Sequence, residues 1–430
     1  MIIAMKLFFP KVIAGPGAGK SRVLSSRLAH LLLSRRCKPH QILVLSFTHN
    51  AAKRLLMRAE SMLLNSVSSL HSVESFISSS EVHCNTFHGF CSVVLKNYGH
   101  LLNLEKNLKI ADEYEQLNIM KFLLKSGGYK SSNSAMATNL LRRIRSWKES
   151  GLGYLGVQED FLKSWTDKRA YELYPVYQRE LRSRSALDFG DLLLFTLRLF
   201  RENRHVLEIY RDKYYHILVD EFQDISPAQY DILRMLVVGF LDIFSIDRNG
   251  CKTFIGLSAS RDTISVNEMR RSVNVDGNLE HEANSFPSEF FLEEISADMD
   301  ESDLNTSTRV TNEGLRRVHV FCAGDDDQSI YGFRGSQIEL MRRFRFDFPD
   351  AKVMKFDTSY RLPNSLCQIA KSVVDPLPNR ISKVLIDKMG KIETGPSLEI
   401  RKLLDENCEL EWISGCLENE LKGMWNEILQ

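Results

Sequence analysis

Short runs of Val, Ile and Leu recur along this chain, and each ends in a polar motif. The runs at 12–14, 42–45, 216–219 and 318–323 are mostly apolar, broken only by His216 and His319, the pattern of a strand buried on both faces. Between them, apolar positions return at the helical period, which predicts amphipathic helices. Strand alternating with helix predicts an α/β fold around a parallel sheet. Such open sheets collect ligands at the carboxyl ends of their strands, where the polar motifs fall.

Three stretches depart from this alternation. Residues 61–80 hold nine serines and read as a loop or a loose continuation of a helix. Residues 121–184 hold 13 Lys+Arg against 6 Asp+Glu. Their pattern is helical, with Leu140, Leu141, Ile144 and Trp147 on one face and Arg142, Arg143, Arg145 and Lys148 around it. Residues 276–304 carry ten acidic residues and no Lys or Arg, as expected of a solvated insert.

Composition adjusts this picture only slightly. The 430 residues leave room for two or three domains of roughly 150 residues each. The 56 Lys+Arg against 55 Asp+Glu exclude a basic tail-type nucleic-acid binder but allow a local basic groove. The longest apolar run, 235–244, is far shorter than the roughly 20 residues of a membrane span, so no membrane partner is expected. With the polar motif at residue 14, no removable leader is expected. Eight cysteines contain no CxxC pair, and His83, Cys84 and His88 lack a second ligand pair. Free thiols in a reducing compartment are therefore expected.

Two motifs carry nucleotide chemistry. Ala14-Gly15-Pro16-Gly17-Ala18-Gly19-Lys20-Ser21 fits a phosphate loop, with Ala14 at the first glycine position. Gly17 and Gly19 let successive N–H groups turn inward on an anion, and a helix starting near Lys20 adds its positive end. Lys20 is expected on the phosphates and Ser21 on Mg²⁺. The second motif, His216-Ile217-Leu218-Val219-Asp220-Glu221-Phe222-Gln223-Asp224, is a strand ending in adjacent carboxylates. Asp220 is expected to hold Mg²⁺ and Glu221 to deprotonate the attacking water. By itself a DE pair also suits a helix cap and its first turn. With the phosphate loop it indicates a Mg²⁺-dependent NTPase fold.

A third motif, Gly324-Asp325-Asp326-Asp327-Gln328-Ser329-Ile330-Tyr331-Gly332-Phe333-Arg334-Gly335, narrows the class. Gln328 suits a γ-phosphate contact. Tyr331 and Phe333 suit base stacking, although core packing is the ordinary use of such aromatics. With these residues in view, the chain resembles the UvrD/Rep/PcrA family of superfamily 1 DNA helicases. The phosphate loop resembles that family's motif I, and Leu45-Ser46-Phe47-Thr48-His49-Asn50-Ala51-Ala52 its motif Ia. Thr86-Phe87-His88-Gly89-Phe90 and Leu187-Asp188-Phe189-Gly190-Asp191-Leu192-Leu193 are similar to two further family segments. The strand ending in Asp220-Glu221 corresponds to motif II, the Gly324 string to motif III, and Ser359-Tyr360-Arg361-Leu362-Pro363 to motif IV.

The resemblance implies a RecA-like α/β core at 1–90 and 185–375, with a flexible insert at 240–316. It also implies a basic helical accessory domain at 91–184 and the start of a second RecA-like domain at 376–430. It implies that Arg22 and Tyr360 sandwich the adenine, that Arg361 contacts the γ-phosphate, and that Phe47, His88, Tyr331, Phe333 and Arg334 meet single-stranded DNA. It implies 3′ to 5′ movement on single strands and at single/double-strand junctions, in DNA repair or recombination, within the nucleus or another DNA-containing compartment. An upstream adenine-reading Gln motif is expected to be missing, and motifs V and VI are expected beyond residue 430. The alternative to an active helicase is therefore a catalytically incomplete ATP- and DNA-binding fragment, regulatory or non-functional.

Overall fold

The computed structural model describes residues 10–34, 37–66, 81–127, 134–239, 244–246, 252–254, 318–332, 335–348, 351–377, 380–381, 383, 386–387 and 401–428. Strand β1 (Pro10–Ala14) feeds helix α1 (Lys20–Leu33), β2 (Ile42–Ser46) feeds α2 (His49–Ser66), and β3 (His83–Thr86) feeds α3 (Phe87–Tyr98). Next come β4 (Lys109–Ile110), α4 (Glu113–Ser126), α5 (Ser134–Glu149), α6 (Trp165–Ser183), β5 (Ala186–Leu187), α7 (Phe189–Glu202) and α8 (Arg204–Lys213). The chain returns through β6 (His216–Val219) and α9 (Pro227–Val238) to a short hairpin, β7 (Phe244–Ile246) with β8 (Lys252–Phe254). The last elements are β9 (His319–Gly324), α10 (Glu339–Asp347), β10 (Lys352–Phe356), β11 (Thr358–Ser359), α11 (Asn364–Val374), β12 (Ile386–Asp387) and α12 (Glu406–Ile428).

Six strands form one sheet in the order β10-β1-β9-β6-β2-β3, and every pairing is parallel. The consecutive apolar runs are explained by burial on both sides. Ile13, Leu43, Leu45, Ile217, Val219 and Val320 enter one apolar cluster. Their neighbours Val12, Ala14, Ile42, Val44, Leu218 and Phe321 enter another. The pleat sends successive side chains to opposite faces, so both parities must be apolar. The fold is thus the expected RecA-like α/β type.

A third cluster belongs to the helical region. It runs from Ala111 to Ala186 and holds α4, α5 and α6 together through Met120, Leu140, Ile144, Trp147 and Tyr177, all nearly solvent-free. The junction with the sheet lies later than the expected residue 91. Cys91, Val94 and Leu95 on α3 pack with the sheet cluster instead. Of the expected insert at 240–316, all but the two hairpin strands lies outside the described residues. The same is true of 67–80 within the serine-rich stretch. Among the described residues no helix is long and apolar enough to cross a membrane, and the seven cysteines found there are free.

Candidate functional site

The phosphate loop joins β1, which lies between β10 and β9 in the sheet, to α1. Gly17 and Gly19 take φ of 74° and 91°, angles that side-chain-bearing residues rarely adopt. Gly17 is also sterically required: a Cβ there would lie 2.6 Å from Ser359 Oγ and 2.7 Å from the Arg361 Cβ. No side chain caps the first turn of α1, which leaves its amides directed at the loop, the arrangement that receives phosphate. Lys20 is buried. Its ammonium donates to the Ala14 carbonyl at 3.2 Å and stands 3.8 Å from Asp325. The loop therefore fits a nucleotide phosphate chain.

Motif II faces the loop from the end of β6. Asp220 is buried, with the Ser21 hydroxyl beside it. The two expected Mg²⁺ ligands are thus adjacent, and a hydroxyl with a carboxylate is a donor set that a hard cation fits. Burial, then the neighbouring Glu221 charge, raises Asp220 to about 6. The same two causes raise Asp224 to about 7. Glu221 itself sits at φ 49°, a left-handed conformation that costs a non-glycine residue about 1 kcal/mol or more.

Gln223, which no motif spacing singled out, links motifs II and III. Its amide nitrogen donates to Glu221 at 2.9 Å and to Asp224 at 3.1 Å. Its carbonyl accepts the Asp325 N–H at 3.0 Å. Gln328 donates to the Asp325 carboxylate, so this γ-phosphate candidate lies on the same acid as Lys20. Motif IV reaches the backbone of the loop. Tyr360 N–H donates to the Gly17 carbonyl at 3.1 Å, and Ser359 Oγ donates to Pro16 at 3.1 Å. The rings and chains beyond these contacts are open to solvent at Arg22, Tyr360 and Arg361, where a base would have access.

The expected DNA residues divide. Phe47 and Tyr331 stack on one another with ring centres 4.6 Å apart. His88 lies edge-on to Phe189 at 5.7 Å. Burial, then the charge of Arg145, lowers His88 to about 4, so the imidazole is neutral near pH 7. Phe333 and Arg334 fall outside the described residues. A cavity of about 130 Å³ is lined by Phe47 and His88 as well as by Asp220, Glu221 and Asp224. Glu149 of α5 also lines it and packs where a Cβ on Gly335 would stand. The helical region therefore touches both motif II and the end of motif III.

The helical region is fastened to the sheet by a buried ion cluster. Lys148 has no exposed side-chain surface and lies 2.7 Å from both Asp188 and Asp191. Tyr177 donates to Asp188 at 3.1 Å. Burial opposes the lysine charge, but the two carboxylates outweigh it and hold its pKa above the ordinary value. Asp188 and Asp191 also cap α7 by exchanging backbone and side-chain hydrogen bonds.

Comparison with known proteins agrees with this geometry. The family described as UvrD/REP helicase N-terminal domain matches residues 10–246 and 300–349. The unmatched stretch between them, 247–299, falls inside the expected insert. A DNA helicase II of Rickettsia typhi is 27% identical over 405 residues, covering 94% of this chain and 47% of that protein. A probable DNA helicase II homolog of Mycoplasma capricolum is 34% identical over 417 residues, covering 96% of this chain and 45% of its own. An ATP-dependent DNA helicase PcrA of Staphylococcus epidermidis is 26% identical over 405 residues, covering 94% and 42%. The chain spans about half the length of these relatives.

Proposed function

The chain belongs to the UvrD/REP helicase N-terminal domain family, and on that premise we propose that it binds ATP with Mg²⁺ and couples hydrolysis to 3′ to 5′ movement on single-stranded DNA. The observation that carries this reading is convergence. Lys20, Ser21, Asp220, Glu221 and Gln328 come from three separate segments and meet through Asp325, Gln223 and one another.

In this reading Lys20 and the first-turn amides of α1 hold the phosphates, while Ser21 and Asp220 hold Mg²⁺, which supplies charge neutralisation when bound. Glu221 takes the proton of the attacking water. Gln328 and Arg361 meet the γ-phosphate, and Arg22 and Tyr360 enclose the adenine. Phe47 and Tyr331 offer stacking faces to bases, and His88, Phe333 and Arg334 complete that surface. The shared cavity gives a physical route from strand to hydrolysis, because Phe47 and Glu221 line the same space. We place the activity in DNA repair or recombination, on single strands and junctions, in a DNA-containing compartment.

The test is ATP hydrolysis by the 430-residue chain with and without single-stranded DNA. DNA is expected to stimulate turnover, and Lys20→Ala and Glu221→Gln are each expected to lower it about 10²-fold or more. Hydrolysis indifferent to DNA, or unchanged in Glu221→Gln, would sink the reading.

A further inference from the structure

Two cations from outside the motifs enter the nucleotide site. Asp325, Asp326 and Asp327 bring their carboxylates within 4.8 Å of one another, and Asp325 is wholly buried. Like charges so placed are tolerated only when cations meet them. Here the cations are Arg380 and Lys383. Arg380 grips Asp327 with two donors at 2.7 and 2.8 Å. Lys383, itself buried, reaches Asp326 and Asp327 at 2.8 Å each and pairs with Asp325. The Ile381 N–H adds a hydrogen bond to Asp326 at 2.7 Å. The chain then enters β12, which pairs with β11 at Ser359. One stretch thus braces motif III and motif IV together.

We propose that Lys383 and Arg380 are positioning residues for nucleotide binding, neutralising the acidic triad so that Asp325 does not capture Lys20. The inference rests on the reading of Lys20 as a phosphate ligand. Lys20 stands 3.8 Å from Asp325, beyond ordinary hydrogen-bond range, while Lys383 is in direct contact with the same carboxylate. Without Lys383 the buried Asp325 carboxylate loses its close partner. The nearest remaining cation is the one the phosphates need. Lys20 then becomes a closed ion pair, and phosphate must compete with Asp325 for it.

The experiment is equilibrium binding of a non-hydrolysable ATP analogue with Mg²⁺ to the full 430-residue chain, with thermal melting of the same samples without nucleotide. Lys383→Met is expected to weaken binding about tenfold, and Arg380→Gln by a smaller factor. The decisive variant is Lys383→Met with Asp325→Asn, which removes the competing charge and is expected to restore affinity to within about threefold. If Lys383→Met does not melt cooperatively, Arg380→Gln and the double variant carry the test. Two results overturn the proposal alone: wild-type affinity in both Lys383→Met and Arg380→Gln, or a folded double variant still about tenfold weak. A wild-type chain that binds no analogue overturns the nucleotide reading and this inference with it.

Discussion

Among the described residues, two of the clusters that bury charges side by side are built in opposite ways. At the joint between the helical region and the sheet, Lys148 sits between Asp188 and Asp191 at 2.7 Å from each, with Tyr177 donating to one of them. At the end of β6, Asp220, Glu221 and Asp224 stand together with no comparable cation among them. Lys20 lowers Asp220 and Asp224, but burial and Glu221 prevail and both are raised. The first cluster is complete in the protein alone. The second is short of positive charge, which is the condition of a site that gains its cation from a ligand. Burial of charge therefore says little until its balance is counted.

The largest effect should come from breaking the complete cluster. Lys148→Met leaves two buried carboxylates unopposed and is expected to cost about 3–5 kcal/mol of stability, read by urea unfolding. Adding Asp188→Asn and Asp191→Asn should recover much of the loss. Magnesium should recover none of it. The incomplete cluster should respond to ligand instead. Mg²⁺ with ATP at a hundredfold excess over its Kd should stabilise the wild type by about 2.7 kcal/mol, and Asp220→Asn should remove the Mg²⁺ dependence of that gain.

The stacked pair comes next in size. Phe47→Ala and Tyr331→Ala should each weaken single-stranded DNA binding by about 1–3 kcal/mol in a fluorescence titration, while leaving nucleotide affinity in place. The last prediction is a pH dependence. Asp224 ionises near 3.8 when unfolded but only near 7 in the fold. The native state therefore holds the extra proton between those values, and this contribution to stability is lost as pH rises toward 7. In Asp224→Asn that loss is absent. The variant's Tm minus the wild-type Tm should grow from pH 4 to 7 and level off above. A flat difference would remove Asp224 from the comparison.

Much of this was legible because it is local. The consecutive apolar runs became β1, β2, β6 and β9, and the phosphate loop and Asp220-Glu221 sit where a strand hands over to the next turn. The edge strands were harder to see. The β3 residues His83-Cys84-Asn85-Thr86 carry no apolar run, and β10 is only half buried, since an edge has one neighbour and less to hide. His88 could be found by its segment but not its burial, which depends on Phe189 a hundred residues away. Gln223, Arg380 and Lys383 gave no signal at all. What joins them to motif III is a set of partners over fifty residues distant, and no periodicity records such a meeting.

The sheet order also sets a timetable. Strand β1 is made before every other strand of its sheet, yet its two neighbours are β9 and β10, with Pro10 opposite Lys352 and Lys11 opposite Cys322. At about 5–20 residues per second on a ribosome, β1 waits roughly 15–70 s for its second neighbour. Strands β2, β3 and β6 can pair much sooner, since each adjoins another of the three. The nascent chain therefore carries an unpaired β1, flanked by a phosphate loop that cannot yet close against Ser359. Bound nucleotide can stabilise the finished protein but cannot rescue the growing one, so this interval is where chaperone dependence or aggregation should concentrate.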